Sequence, residues 1–291
     1  MKISIIITAY NAEKYIKDAI NSCLKQTYND IEIIIVDDCS MDNTSDIIHQ
    51  FQSEDNRIYV IHNVRNLGCG MSKRIGIEKA RGEYFILLDS DDWLDIHFIE
   101  YAVKNALQTG ADIIMGEYVK YNSDNEPTII KIQPEILTGN DKLFKQQAHI
   151  TANNKLIRTA LRDKICWSER RYIEDTQTLI PILYYANKVS CIDKLCFHYR
   201  YNENSLINKS SELETCIYQS LCYADTICFL LSNWETIPVT SYTIGLFLQS
   251  IRYIKYNRLT NPDSLTPYCK EIDELETLTY KITSRLINLI K

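Results

Sequence analysis

The first 120 residues alternate between short apolar runs and longer stretches in which apolar residues recur every three or four positions. A continuous apolar run of strand length is typical of a buried parallel strand, because both faces of such a strand are covered. The predicted strands are Ile3 to Thr8, Ile31 to Val36, Ile58 to Ile61, Tyr84 to Leu88 and a fifth that begins with Ile113 to Met115.

Four segments between these runs have the periodicity of amphipathic helices. They are Ala12 to Leu24, a segment after Asp42 with Ile47, Ile48 and Phe51 on its inner face, Met71 to Ala80, and a segment that contains Ile96, Ile99, Val103, Ala106 and Leu107. Gly82 and Gly110 are expected to end the last two, since glycine readily adopts the left-handed backbone that follows a helix. The alternation predicts an α/β fold with a mostly parallel sheet flanked by helices.

The pattern changes twice further along the chain. Residues 122 to 150 contain Pro127, Pro134 and Gly139 and are predicted to form loops and short strands. Three helical stretches follow, at Leu213 to Leu231, Val239 to Tyr256 and Leu265 to Ile290. We therefore predict an α/β domain over 1–210, in which 1–120 and 121–210 are distinct parts, and a helical subdomain over 211–291.

Charge and hydropathy exclude several classes of protein. The net charge is −6, whereas a general nucleic-acid binder needs a basic face. No apolar run reaches the ~18 residues of a membrane-spanning helix, and the apolar start at Ile3 lacks the features of a signal peptide. The ten cysteines include no C-x-x-C pair, so we expect reduced, mostly buried thiols and a cytoplasmic location.

Two clusters of aspartate follow predicted strands. Asp37 and Asp38 follow the second strand, and Asp89, Asp91 and Asp92 follow the fourth. Ligands of α/β sheets bind beyond the carboxyl ends of the strands, and crowded carboxylates repel unless a cation or donors offset the repulsion. Turn or helix-cap chemistry explains Asp37 and Asp38 equally well, whereas the D-S-D-D cluster favours Mg²⁺ or Mn²⁺, which prefer oxygen ligands.

The order of several short motifs resembles family 2 glycosyltransferases, in particular the bacterial enzymes that build capsular, exo- and lipopolysaccharides. The motifs are Ile5-Ile6-Ile7-Thr8-Ala9-Tyr10-Asn11, Gln26-Thr27-Tyr28, Val36-Asp37-Asp38-Cys39-Ser40, Asn66-Leu67-Gly68, Gly76-Ile77, Gly82-Glu83-Tyr84 and Leu88-Asp89-Ser90-Asp91-Asp92-Trp93. Further landmarks of the bacterial subgroup are Asn154-Lys155-Leu156, Glu174-Asp175-Thr176, Tyr199-Arg200 and Asn204-Ser205. The resemblance implies the GT-A fold, with a catalytic domain over 1–210 in which 1–120 binds the nucleotide-sugar and 121–210 holds the acceptor side and the catalytic base.

The resemblance also implies roles for particular residues. Thr8, Tyr10 and Asp38 would hold a uracil base, with the Tyr10 ring stacked on it. Asp89 and Asp91 form the D-x-D pair that binds ribose and the metal diphosphate, and Asp92 shares the metal. Asp175 would be the general base, and His198 is a candidate third metal ligand. A simple cap of the following helix and an ordinary packed histidine are the alternatives for these last two residues.

The chain departs from the family pattern at Ser72-Lys73-Arg74, where the family usually has Ala-Arg-Asn. The familiar arginine is therefore Lys73, a point charge where a planar fork is usual, or its work has moved to Arg74. Gly68, Gly70 and Gly76 do not have the spacing of a dinucleotide fingerprint.

The sequence thus predicts an inverting hexosyl- or N-acetylhexosaminyltransferase that uses Mn²⁺ or Mg²⁺ and a nucleotide-sugar donor, most simply a UDP-sugar. Its acceptor would be a glycan or a lipid-linked glycan, and peripheral contact with the inner face of the membrane could come through that acceptor. A sugar nucleotidyltransferase is one alternative, although Ala9-Tyr10-Asn11-Ala12 stands where such enzymes have a glycine- and arginine-rich loop. A degenerate sugar-nucleotide-binding or scaffold protein is the other.

Overall fold

The computed structural model describes residues 1–139, 141, 151–165, 175–205, 208, 211–233, 265 and 267–290. In chain order its elements are β1 (Ile3–Ala9), α1 (Ile16–Leu24), β2 (Ile31–Asp37), α2 (Thr44–Glu54), β3 (Ile58–His62), α3 (Cys69–Lys79), β4 (Tyr84–Asp89), β5 (Trp93–Leu94), α4 (Phe98–Thr109), β6 (Ile113–Tyr121), β7 (Pro127–Ile130), β8 (Glu135–Leu137), β9 (Lys155–Arg158), a 3-10 helix (Thr159–Lys164), α5 (Asp175–Tyr185), β10 (Val189–Tyr199), α6 (Glu212–Ser232) and α7 (Cys269–Ile290). The predicted α/β class is confirmed.

The first half of the sheet is parallel, in the order β3-β2-β1-β4. Every residue of β1 and β2 is buried, as strands covered on both faces require. Alternate residues of β1 enter two apolar clusters: Ile5 packs with α1, α2 and α4, and Ile6 packs with α3 and α5 on the opposite face. The sheet is therefore sandwiched between helices.

One glycine explains how closely α3 approaches the sheet. A Cβ built on Gly76 would collide with the Ile6 side chain and lie 3.3 Å from Val36 Cγ2. Only a residue without a side chain lets the helix lie this low over β1 and β2. The close approach brings the N-terminal half of α3 to the carboxyl ends of these strands.

The second half of the sheet is mixed. β9 pairs antiparallel with both β4 and β6, and β10 pairs parallel with β6. β5 has only two residues and was not predicted; it pairs antiparallel with β10, with Trp93 opposite His198. Short strands were expected within 122–150, and β7 and β8 lie there. Residues 140 and 142–150 of that segment lie outside the described residues.

Two details of α4 differ from the prediction. The helix begins at Phe98 and its buried residues are Phe98, Ile99, Ala102, Val103 and Ala106. Ile96 precedes the helix with 47% of its surface exposed, and Leu107 is 71% exposed. Including Ile96 in this helix was wrong, because α4 starts later; Leu107 lies in α4 as predicted, but outside its buried stripe. Gly110 does end the helix, with φ at 65°.

The two described C-terminal helices form an apolar cluster of their own. Ile217, Leu221 and Ala224 of α6 pack with Ile272 and Leu275 of α7. α6 also touches the catalytic part of the chain, because Phe229 meets Tyr184 of α5 edge to face with 5.7 Å between ring centroids. The predicted helix Val239 to Tyr256 lies outside the described residues, and the boundary at 210 stays a prediction.

Candidate active site

The end of β1 presents an exposed aromatic ring beside a narrow turn. Tyr10, directly after β1, has 43% of its surface exposed, whereas Thr8 is buried and its hydroxyl lies 3.8 Å from the Cys69 sulfur. Asn11 has a left-handed backbone, with φ at 49°, and its side-chain oxygen accepts from the backbone N–H of Met41. The Tyr10 ring is thus available for stacking at the carboxyl edge of the sheet.

Asp38 organises the loop between β3 and α3. Its carboxylate, which is buried, accepts hydrogen bonds from Asn63 Nδ2 at 2.7 Å and from the backbone N–H groups of Leu67 and Gly68 at 2.8 Å. The neighbouring Asp37 accepts from the Ser40 backbone and lies 3.1 Å from His62 Nδ1. The structure therefore gives Asp38 a structural task beside its predicted contact with uracil, which stays a prediction. A carboxylate has about four lone-pair sites, so a further donor can still be accommodated.

Asp89, the first acid of the D-x-D pair, is held from two sides. Lys73 Nζ lies 3.3 Å from Asp89 Oδ1, at ion-pair distance but without hydrogen-bond geometry. Asn153 Nδ2 donates to Asp89 Oδ2 at 2.6 Å. The structure thus brings Lys73, the lysine that replaces the familiar arginine, together with Asp89 at the end of β4.

Asp92 is buried and Asp91 is half-buried beside Asp89. Asp91 Oδ2 accepts from Asn202 Nδ2 at 2.8 Å, and Asp92 Oδ1 accepts from the Arg200 backbone N–H at 2.9 Å. Asp92 Oδ2 is buried and has no hydrogen-bond partner among the described residues. Burial and the neighbouring carboxylates raise the pKa of Asp91, and they raise the pKa of Asp92 well above its usual value.

Arg200 closes the loop that carries these aspartates. Its guanidinium lies between the rings of Tyr15 and Trp93, at 4.8 and 4.7 Å from their centroids, and donates to the Asp91 carbonyl and to Asp18. Arginine suits this position because its planar group stacks on rings while its edge donates hydrogen bonds. The contacts fix the D-S-D-D loop against α1.

His198 lies opposite Trp93 in the pairing of β5 with β10. Its ring stacks on the Trp93 ring at 4.9 Å, its Nδ1 is 3.1 Å from the Tyr121 hydroxyl, and burial lowers its pKa. Among the described residues, no three His, Cys, Asp or Glu side chains form a group that could hold a metal ion. The structure therefore does not join His198 to Asp91 and Asp92 in such a group, and its role as a ligand stays a prediction.

Asp175 is the first residue of α5. This position is compatible both with a general base and with the alternative of a simple helix cap. Asp175 Oδ1 accepts from the Ala152 backbone N–H at 3.4 Å. Negative side chains are favoured at this end of a helix. The neighbouring Glu174 lies outside the described residues.

One tyrosine shows that the acidic residues converge. The pKa of Tyr199 is raised to about 12, first by burial and then by four carboxylates, those of Asp92, Asp89, Asp91 and Asp175. A phenol resists ionisation when negative charges surround it. The predicted metal-binding acids and the predicted base therefore act on a common region of space.

Two residues of this site were not predicted as functional. Asn153 immediately precedes the Asn154-Lys155-Leu156 motif, and Asn202 lies between Tyr199-Arg200 and Asn204-Ser205. Each donates its side-chain amide to an aspartate of the cluster. Their nearness to these motifs is the signal that could have indicated them.

The residues present are compatible with a divalent cation. Among the described residues, Asp92 offers a buried oxygen without a hydrogen-bond partner, and burial and neighbouring carboxylates raise the pKa values of Asp91 and Asp92 despite the charge of Arg200. Mg²⁺ is commonly held by one or two carboxylates together with substrate phosphates and water. The protein would then provide part of the coordination and the nucleotide the remainder.

The carboxylates thus lie beyond the ends of parallel strands, with an exposed ring at the neighbouring strand end, at the edge where α/β sheets bind their ligands. Comparison with known proteins specifies the family. The model of glycosyl transferase family 2 matches residues 4–176, so the chain belongs to that family and is a glycosyltransferase.

The similar proteins agree with this assignment. The chain is 30% identical to glycosyltransferase GlyG of Streptococcus pneumoniae serotype 4 over 92% of this chain and 93% of that protein. It is 26% identical to the poly(ribitol-phosphate) beta-N-acetylglucosaminyltransferase TarS of Staphylococcus aureus, covering 68% of this chain but 35% of TarS. The crystal structure of TarS 1-349 in complex with UDP-GlcNAc has the same fold, with a TM-score of 0.71 and 22% identity over 98% of this chain and 81% of that one.

Of the helices in the described ranges, none has the length and apolar character needed to cross a bilayer.

Proposed function

We propose that this glycosyltransferase transfers a sugar from a UDP-sugar to an acceptor hydroxyl with inversion, using Asp175 as the general base and a divalent cation at Asp91 and Asp92. The observation that carries the proposal is that one turn holds both kinds of acid: Asn153 donates to Asp89 of the D-x-D pair, and the backbone N–H of the neighbouring Ala152 donates to Asp175. Such an arrangement puts a diphosphate-binding group and a candidate base within one site.

In this scheme the Asp175 carboxylate removes the proton of the acceptor hydroxyl as its oxygen attacks the anomeric carbon. The new glycosidic bond forms while the bond between that carbon and the diphosphate oxygen breaks, and the nucleoside diphosphate leaves with the electron pair. Attack from the side opposite the leaving group inverts the configuration at that carbon. The N-terminal position of Asp175 in α5 favours the ionised form that a base needs.

The chain's own residues would hold the donor. Tyr10 would stack on the base with its exposed ring, and Lys73 and Asn153 hold the Asp89 carboxylate in place for the ribose. A divalent cation held by Asp91 and Asp92, when bound, would offset the charge of the leaving diphosphate. Mn²⁺ and Mg²⁺ both suit carboxylate oxygens.

The identity of the donor is supported by the similar structures. TarS 1-349 has crystal structures in complex with UDP-GlcNAc and in complex with UDP. UDP-GlcNAc is therefore the first donor to test, and a glycan or lipid-linked glycan of a surface polysaccharide is the acceptor class we propose.

The test replaces the base alone. Asp175→Asn should lower transfer by roughly 10²–10⁴, the usual contribution of a general base, and should leave the dissociation constant of UDP with Mn²⁺ nearly unchanged. Transfer is measured as UDP release and binding by titration calorimetry. Asp163→Asn, at a side chain that is 85% exposed in the 3-10 helix, is the matched control and should keep wild-type turnover.

Two outcomes would change the proposal. Normal turnover by Asp175→Asn would move the role of base to another carboxylate, with Glu174 the first to replace. Binding of UDP with Mn²⁺ by the wild type, without hydrolysis or transfer of UDP-, GDP- or dTDP-sugars, would favour a protein that binds sugar nucleotides without transferring them.

A further inference from the structure

Lys155 is a fully buried lysine next to the site. It opens β9 in the Asn154-Lys155-Leu156 motif and pairs with Met115 of β6, and none of its surface is exposed. Burying an amine is costly unless its N–H groups find acceptors. The surroundings of Lys155 therefore require an explanation that packing alone does not provide.

The amine closes the turn that precedes its own strand. Lys155 Nζ donates to the carbonyl of Thr151 and, at 2.7 Å, to Asn154 Oδ1. Both acceptors belong to the four-residue turn 151–154. The lysine thus fixes the start and the end of that turn relative to each other.

The same turn reaches two functional carboxylates. Asn153 Nδ2 donates to Asp89 Oδ2 at 2.6 Å, and the Ala152 backbone N–H donates to Asp175 Oδ1 at 3.4 Å. Asp89 lies at the end of β4, and Asp175 begins α5. The turn 151–154 therefore connects the acid assigned to the donor with the acid assigned to the acceptor.

The charge of Lys155 acts on the same base. Burial lowers the pKa of Lys155 to about 7, and the carboxylate of Asp175 and the thiol of Cys191 on β10 oppose that shift. The attraction is mutual, so the ammonium favours Asp175 as an anion. Tyr199 is a further ionisable group that interacts with this carboxylate, and the three aspartates of the D-S-D-D loop also act on Tyr199. A neutral amine still has two N–H groups, so the turn remains closed if Lys155 loses its proton.

We infer that Lys155 is a positioning residue for Asp175: it closes the turn 151–154 that donates to this carboxylate, and it favours the carboxylate's ionised form. The inference rests on the proposed function, in which Asp175 is the base. It gives the lysine of the Asn154-Lys155-Leu156 motif a role in acceptor activation.

The first measurement needs no turnover. Carboxyl ¹³C chemical shifts of aspartate-labelled protein, with Asp175 assigned by its loss in Asp175→Asn, are followed against pH in the wild type and in Lys155→Met. Methionine keeps the length of the chain but has neither charge nor donor. The pKa of Asp175 should rise by about one unit, at the lower end of the effect of a nearby opposite charge.

The second measurement is kinetic. In Lys155→Met, kcat should fall at least about tenfold and the acidic limb of its pH profile should move to higher pH, because a base with a raised pKa ionises later. The dissociation constant of UDP with Mn²⁺ should change less than about threefold, since Lys73 still holds Asp89. The matched control is Lys188→Met. Lys188 directly precedes β10, and its Nζ donates a hydrogen bond to the Thr109 carbonyl at 2.6 Å. This variant should leave the pH profile of kcat and the dissociation constant of UDP unchanged.

Lys155→Gln has no charge but keeps a side-chain amide group that can donate to the turn 151–154. It replaces Lys155→Met in both measurements if Lys155→Met does not fold. A folded variant with an unchanged pKa of Asp175, or with wild-type kcat and an unshifted acidic limb, would overturn the inference and leave the proposed function standing. A wild type that transfers no sugar would instead overturn the proposed function, while the ¹³C titration would still report whether Lys155 acts on Asp175.

Discussion

Asp37 ends β2 and Asp38 follows it, and Asp91 and Asp92 follow β4, so both pairs lie at the carboxyl ends of parallel strands in one sheet. Protein donors surround the first pair: Asp38 alone accepts from Asn63, Leu67 and Gly68. The second pair is different, because Asp92 keeps a buried oxygen without a partner and its pKa is raised well above the usual value. Two similar short sequences thus produce one carboxylate pair that is satisfied within the protein and another that is compatible with a cation.

The comparison predicts its largest effect at Asp38. In Asp38→Asn an amide N–H₂ replaces one oxygen, so a backbone donor at Leu67 or Gly68 loses its charged acceptor inside the protein. Hydrogen bonds to charged groups contribute about 1.5–3 kcal/mol, and an unmatched buried donor adds a desolvation cost, so the free energy of unfolding should fall by about 3 kcal/mol. Urea unfolding followed by circular dichroism measures the change.

Glu78→Gln provides the control for that experiment. Glu78 accepts from Arg74 at 2.8 Å but is 56% exposed, and exposed pairs contribute little. A shift of less than about 0.5 kcal/mol is expected. If Asp38→Asn were equally mild, the loop after β3 would not depend on Asp38, and the contrast between the pairs would disappear.

The second prediction concerns the ligand of the other pair. UDP at 100 times its dissociation constant should stabilise the protein by about 2.7 kcal/mol with Mn²⁺ present and by much less with a chelator. Asp91→Asn should weaken UDP binding and turnover together, because it removes a proposed metal ligand. Thermal melting with each combination of UDP, Mn²⁺ and chelator measures this, and equal shifts with and without metal would remove the D-x-D assignment.

Much of the fold of residues 1–120 could be predicted from local patterns in the sequence. The first four strands are parallel as predicted, and the D-S-D-D cluster lies at the end of β4, because apolar runs and strand ends are local features of the sequence. Tyr10 is exposed beside it, as a stacking role requires. The assignment of ligands and base to individual side chains stays a prediction.

The hydrogen-bond partners of the aspartates could not be predicted from local patterns in the sequence. Asn153 is 64 residues from Asp89 along the chain, and Asn202 is 111 residues from Asp91. Such pairs depend on how β9 and β10 are inserted into the sheet, and antiparallel insertion of β9 between two strands leaves no periodic signal. The short β5 was missed for a related reason, since two residues are too few for any pattern.

The smallest expected effect is at Asp92, and its sign distinguishes the two pairs. Without metal, Asp92→Asn removes a buried charge crowded by Asp89 and Asp91, while its side-chain oxygen can still accept from the Arg200 backbone. Replacing an uncompensated buried charge by a neutral group is neutral or stabilising, so we expect a gain of up to about 1 kcal/mol in the free energy of unfolding.

The gain should depend on pH in a definite direction. Because the pKa of Asp92 is raised in the folded state, that state binds a proton more tightly than the unfolded chain, and the wild type loses stability as the pH rises from the ordinary carboxyl value of about 3.9 through the raised value. The variant, which cannot ionise there, should therefore exceed the wild type most near neutral pH and least near about pH 4. Urea unfolding across this range, with Asp163→Asn as the exposed control, measures the difference. UDP with Mn²⁺ should stabilise the wild type more than the variant and so make the wild type the more stable of the two. A variant less stable than the wild type in the absence of metal would instead show that the hydrogen bonds of Asp92, like those of Asp38, are made within the protein.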